Sequence, residues 1–168
     1  ITANVVDLTN NKSLAGGAVA ADGAGLDTTA TIVTNSVAPG ASTTFPLYVN
    51  NTSGVADNYN LSVTGAPAGS TVTFKLDGGA GNCSTTGATV TNTGSIAPAG
   101  NQLICAVVSM PLNALATTTG TPLTFKVQSA VSGAADTIID AVTVDTVRNV
   151  TLSTNNSGQA APGGSVVY

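Results

Sequence analysis

The 168-residue sequence contains no histidine, no tryptophan and no glutamate, and only four lysines and arginines together. Without histidine there is no Ser-His-Asp triad, no Cys-His pair and no His-bearing zinc site. Four scattered cations cannot neutralise a phosphate track, so nucleic acid is not an expected partner. Charged residues make up 7% of the chain, against roughly 25% in an average soluble domain. Glu is missing and Lys is scarce, and both are good surface helix formers, which argues against long helices. No apolar run approaches the roughly 20 residues of a membrane span, so the chain reads as not membrane-spanning. No secretory signal opens it, and Ile1 reads as the start of a mature or trimmed product.

What is there is Ala, Val, Leu and Ile, set among Thr, Ser, Gly and Asn. Hydrophobic residues are 42% and aromatics only 4%. A chain of this length can bury one substantial core, or one core plus a fragment. Its net charge of −4 rests on few charges in all, so the surface is neutral and hydroxyl-rich. Such a surface repels neighbours weakly. It suits a chain that packs against copies of itself, and it equally suits an ordinary Thr/Ser-rich secreted β-domain.

The two cysteines, Cys83 and Cys105, stand 22 positions apart. In a chain of secreted character they read as one disulfide, with two buried free thiols as the rival. A metal site needs more ligands than this pair offers.

The alternation of residues gives the fold class. Ile1 to Leu8 reads as a strand, followed by a Gly/Ala-rich loop to residue 29. In STTFPLYVNN, Phe45, Leu47 and Val49 face one side, while Thr44, Pro46, Tyr48 and Asn50 face the other. Pro46 suits an edge or a bulge. Tyr59, Leu61 and Val63 face inward, as do Val72, Phe74 and Leu76, with Thr73 and Lys75 outward. A short strand is expected between Ala88 and Ile96. QLICAVVSM is apolar on both parities and reads as a central strand covered on both faces. Residues 111–122 are irregular, with room for one helical turn. Leu123, Phe125 and Val127 face inward with Lys126 outward, and DTIIDAVTVDTV is a long β-branched run. Short strands with turns every 8–12 residues read as an all-β, antiparallel β-sandwich, here over residues 30–147.

The C-terminus echoes the beginning of that sandwich. Ala38-Pro39-Gly40 aligns with Ala161-Pro162-Gly163, which puts Ser42 on Ser165 and Phe45 on Tyr168. The offset of 123 is the size of one sandwich domain. Residues 148–168 therefore read as the opening strands of a second repeat, or as a strand given to another subunit. Val150, Leu152, Val166, Val167 and Tyr168 are the residues expected to carry that contact. A chance recurrence of a common Pro-Gly turn is the plain alternative.

Four segments carry a family resemblance: VAPGASTTFPLYVNNTSGVADNYNLSV (Val37 to Val63), PAGSTVTF (Pro67 to Phe74), Gly81 to Pro111, and TLSTNNSGQAAPGGSVVY. They resemble the Ig-like β-sandwich repeats of large bacterial cell-surface, S-layer, adhesin-like and pilus-like proteins. In such repeats an Asn-Asn-Thr/Ser turn is followed by Ala-Asp and an alternating strand, and two Cys flank a hairpin-like segment. The resemblance spans most of Ala30 to Tyr168, and the first thirty residues match less well. It implies an extracellular location at a bacterial cell surface and a structural or adhesive role.

Chemistry beyond structure has thin support. The eight acids are all Asp, mostly beside Gly, Ala or Asn, where Asp serves turns more often than catalysis. With no usual general base, the chain is not expected to be an enzyme. Outward Lys75 and Lys126 argue against a Ser-Lys dyad and against an isopeptide cross-link. No cofactor is expected. Calcium is the weak candidate, at Asp22 to Asp27, Asp57-Asn58 and Asp77 to Asn82, none of which has the spaced carboxylates of a calcium loop. Glycosylation acceptors of the N-x-S/T type fall at Asn11, Asn50, Asn51, Asn60, Asn82, Asn149 and Asn155. Two roles remain: a structural subunit or repeat of an extracellular layer, stalk or filament that associates through sheet edges, and an adhesin-like glycan- or surface-binding module. The second needs exposed aromatics, and Tyr48 is the side chain expected to supply one.

Overall fold

The computed structural model describes residues 6–11, 31–147 and 160–165. Among these, every regular element is a strand: β1 (Val6–Thr9), β2 (Thr31–Val37), β3 (Ser42–Asn51), β4 (Tyr59–Thr64), β5 (Thr71–Asp77), β6 (Thr86–Thr89), β7 (Asn101–Ser109), β8 (Thr121–Ser129) and β9 (Ala135–Val144). No helix among them is long and apolar enough to cross a membrane. One sheet has the order β1-β3-β7-β5-β6 and the other β2-β9-β8-β4. They face each other as an Ig-like β-sandwich. Pairing is antiparallel except between β2 and β9, which run parallel.

The core forms where the alternation placed it. Phe45, Leu47, Val49, Tyr59, Leu123, Phe125 and Val127 are buried, and Phe74 nearly so. Leu61, Val63, Val72 and Leu76 are half-buried and pack against them. Phe125 is the hub, with Phe45 at 5.7 Å and Phe74 at 6.2 Å between ring centroids. The central strand is β7, between β3 and β5. Pro46 sits two residues beyond the described β1 ladder, which ends at Thr9 opposite Tyr48. The Asn10 side chain donates to the Pro46 carbonyl. That carbonyl, and so the Pro46 nitrogen, faces away from β7, and the missing N–H costs no bond between β3 and β7.

The short strand expected within Ala88–Ile96 forms earlier, at Thr86–Thr89. The residues after it cross to cover the edge of β4. Leu61 N–H donates to Thr91 C=O at 2.9 Å, and Thr93 N–H to Tyr59 C=O at 3.0 Å. Residues 111–120 hold a turn, closed by Ala114 N–H on Pro111 C=O, where a helical turn had room.

Strand direction defines two poles. The upper pole carries loops 52–58, 94–100 and 130–134. The lower carries 38–41, 65–70 and 110–120. Val6 pairs with Asn51 near the upper pole, and β9 runs down so that the chain leaves β9 at the lower one. The lower turn at Ala38 is closed by Ala41 N–H on Ala38 C=O, with Gly40 at φ 76°. Its echo is closed by Gly164 N–H on Ala161 C=O, with Gly163 at φ 86°. This is the positive φ that glycine supplies after Pro in a type II turn. A third turn at Ala97–Gly100 is closed the same way, with Ala99 at φ 56°. The turn alone is thus Ala-Pro chemistry, and the echo rests on the flanking residues. Val150, Leu152, Val166, Val167 and Tyr168 lie outside the described residues, as does most of the segment 1–29.

Candidate functional site: the clamped face, the buried acids and the two poles

Cys83 and Cys105 are bonded, with Cα atoms 5.5 Å apart. Cys105 lies on β7, and Cys83 lies in loop 78–85 between β5 and β6. Asp77, the last residue of β5, curls that loop. Its Oδ2 accepts the N–H groups of Gly79 and Gly81, both at 2.8 Å, and its Oδ1 accepts Cys83 N–H at 2.9 Å. Cys83 itself has φ 62°. Donors converging on the carboxylate, Gly81 N–H foremost, hold the Asp77 pKa below its ordinary value of 3.8. Among the candidate calcium loops, this one directs N–H groups, not carbonyl oxygens, at its carboxylate. The Asp77 carboxylate also lies near both sulfurs, but these are spent in the disulfide and offer no thiolate to a metal.

The loop covers Tyr48, which corrects the expectation of an exposed aromatic. Tyr48 does point away from the main core, but it is only 8% exposed. It packs with Cys83, Leu103 and Cys105, and its hydroxyl donates to Gly81 C=O at 3.0 Å. Alternation gave the face correctly. It could not show that a loop would be drawn over that face by a covalent bond from a distant residue.

A second correction concerns the acids. Asp136 and Asp140 sit inside β9, fully buried, not in turns. Asp136 accepts Leu8 N–H at 2.6 Å and Thr137 N–H at 2.9 Å. Asp140 accepts the Asn10 amide at 2.8 Å and Val33 N–H at 3.2 Å. These carboxylates tie β9 to the β1 and β2 segments. Burial pushes the Asp140 pKa up to about 6, against the lowering effect of its Asn10 and Val33 bonds. Asp57 is also buried, accepting the Ser129 hydroxyl at 2.7 Å and Asn58 N–H at 2.7 Å. Burial, with the Asp57 charge nearby, raises the Tyr59 pKa to about 12.

The Asn-Asn turn gains a physical role. The Asn50 amide donates to Asp7 C=O at 2.8 Å, pinning β1 to β3. The Asn51 amide donates to the carbonyls of Val55 and Ile96, and its carbonyl accepts from Ser53. Both side chains are buried, so these two sequons do not present free amides for glycosylation. Lys75 and Lys126 are half-buried, opposite Cys105 and Thr137 respectively.

The exposed large hydrophobics of the described residues lie at the poles. Leu112, Leu115 and Val147 are at the lower pole, 88%, 85% and 59% exposed. Val55 and Val131 are at the upper pole, 67% and 84% exposed. Loops 52–58, 94–100, 130–134 and 110–120 carry no Lys or Arg, and their acid, Asp57, is buried, while Val147 stands between exposed Asp145 and the next residue in sequence, Arg148. The sheets also leave edges. Val33, Asn35 and Val37 direct backbone groups toward β9, so those of Thr34 and Ser36 lie along the outer side of β2, the end strand of its sheet.

No family model matches the sequence, and no curated protein matches it. Solved structures do show likeness. The N-terminal domain of PorA is 11% identical, with a TM-score of 0.44 over 83% of this chain and 96% of that one. A FixG-related protein from Vibrio parahaemolyticus is 14% identical, with a TM-score of 0.44 over 62% of this chain and 80% of that one. The ASH/PapD-like domain of human CEP192 is 12% identical, with a TM-score of 0.38 over 68% of this chain and 82% of that one. At these scores the sandwich is read from its own strand pairing, and no activity transfers.

Proposed function

We propose that this chain is a structural module of an extracellular assembly at a bacterial cell surface, a repeat or subunit of a layer, stalk or filament, associating through sheet edges. The observation that carries this reading is the outer side of β2, with which no strand pairs among the described residues. Seven residues long, β2 is an end strand with polar Thr34 and Ser36 and no lysine to blunt it. Such an edge is a template for a strand from another molecule. The disulfide agrees with an oxidising compartment. Burial of Tyr48 removes the stacking surface on which the adhesin-like alternative depended.

Sedimentation of the 168-residue chain over a range of concentrations tests the proposal. Species larger than one chain are expected, and Thr34→Pro should shift them toward monomer while the melting temperature holds, because the lost N–H lies on the open edge. A wild-type chain that stays monomeric throughout overturns self-association. Deleting Asn149–Tyr168 isolates strand donation by that segment, since a deletion that assembles as well as the intact chain removes it.

A further inference from the structure

The poles are the surfaces that an edge-based account leaves unused. Their apolar side chains are exposed on loops poor in charge, the charged neighbours in sequence being Asp145 and Arg148 on either side of Val147. Loss of charge around exposed aliphatic residues is the composition of an interface core. Leu112 and Leu115 rise from loop 110–120, which is anchored to the Ala38 turn by Gly40 N–H on Pro111 C=O at 3.0 Å. Val147 stands beside them where the chain departs. At the other end, Val55 and Val131 flank a shallow cavity with Ser53, Ala56 and Ser132.

We infer that the lower pole, through Leu112, Leu115 and Val147, docks on the upper pole of a second copy of this sandwich, through Val55 and Val131, in a head-to-tail array. The inference rests on the assembly reading but assigns it a different surface. The occupant is a second copy for two reasons. The two patches sit at opposite ends, as a heterologous, open-ended contact requires. The sequence echo also places a second copy's opening beside the lower pole. With an offset of 123, Thr154 is the counterpart of Thr31, which leaves residues 145–153 between the end of one β9 and the next β2. Nine extended residues reach about 30 Å. In this sandwich Thr31 pairs with Ile139, near the middle of β9, so about 14 Å of that reach is taken up inside the next copy. In a chain that carries both copies, the two poles are then held within about 15 Å of each other, which raises their effective concentration.

Disulfide trapping tests the contact on the full chain. Leu115→Cys and Val131→Cys chains are mixed in equal amounts and oxidised gently. The Leu115–Val131 heterodimer should exceed either homodimer about ten-fold, since the contact joins unlike surfaces. Adding Leu112→Lys to the Leu115→Cys chain should return the yield to collisional pairing with an unchanged melting temperature, because Leu112 is exposed. Homodimers as abundant as the heterodimer overturn pole docking. A Thr34→Cys chain separates the two ideas. If it links to itself while the poles do not, edge association stands and pole docking falls. If neither links above the collisional level, both fall.

Discussion

The two faces of β7 are held by different physics. On the inner face Ile104, Ala106 and Val108 join a core spanning both sheets, with Phe125 at its centre. On the outer face Leu103 and Cys105 meet Tyr48 and Cys83 in a small separate cluster. The inner face is ordered by area removed from water, shared among many side chains. The outer face is ordered by one covalent bond, one caged carboxylate and one tyrosine hydrogen bond. A cluster of four residues buries too little apolar surface to fix a loop against its conformational entropy. The cross-link and the polar bonds supply the difference.

The inner face has the most stability to lose. Phe125→Ala should cost about 3–5 kcal/mol, because it removes the hub of three rings and leaves a cavity; Phe74→Ala belongs to the same range. Denaturant unfolding measures both, and a loss below 1 kcal/mol would mean the two sheets are not held together at these rings. Reduction of Cys83–Cys105 should cost about 2–4 kcal/mol. The loss should be accompanied by exposure of Tyr48 with the β-sheet signal retained. If reduction unfolds the sheets outright, the outer cluster is not separable from the core.

The acids make the two regions respond oppositely to pH. Asp140 is raised to about 6 in the folded state, against about 3.9 unfolded. The folded chain therefore binds the proton more tightly, and ionising Asp140 opposes folding. Its contribution falls as pH rises from about 4 to 6, by roughly 2–3 kcal/mol in all. Asp140→Asn should flatten that window in pH-dependent unfolding. Asp77 has the opposite sign. Its lowered pKa makes a contribution that is present above pH 4 and lost as acid protonates it, so loop 78–85 should loosen at low pH while β9 tightens. The smallest effect is expected of Tyr48→Phe, which removes only the bond to Gly81 C=O, about 1 kcal/mol. Near-UV spectra and a disulfide reduction rate should report it, and an unchanged rate would mean the hydroxyl does not hold the loop.

Much of the sandwich was legible in the sequence. A period of two with β-branched and aromatic residues on one parity is a local statement about a half-buried strand. It placed Phe45, Leu47, Val49, Leu123, Phe125 and Val127 inside. The two-sided apolar pattern likewise marked β7 as central. The disulfide was the favoured reading of two cysteines in a chain of secreted character, over two free thiols, and the structure contains it. The polar residues were the harder part. An Asp in a β-branched run and an Asn in a turn have no pattern that says they are buried. Their burial depends on a partner's backbone N–H or C=O far away in the chain, such as Leu8 for Asp136 or Ile96 for Asn51.

The sequence by itself therefore determined most of the strands and their inward faces, because each depends on residue type and short-range period, and it favoured the Cys83–Cys105 link over free thiols. Tertiary structure alone decided that β2 runs parallel to β9, that Tyr48 lies beneath a loop, and that buried Asp136 and Asp140 bind the first strands to the last. It also decided that the exposed aliphatic residues gather at two opposite poles. Each of these results from bringing segments far apart in the chain to one place, and the free energy that selects such a contact exists only once both segments are there.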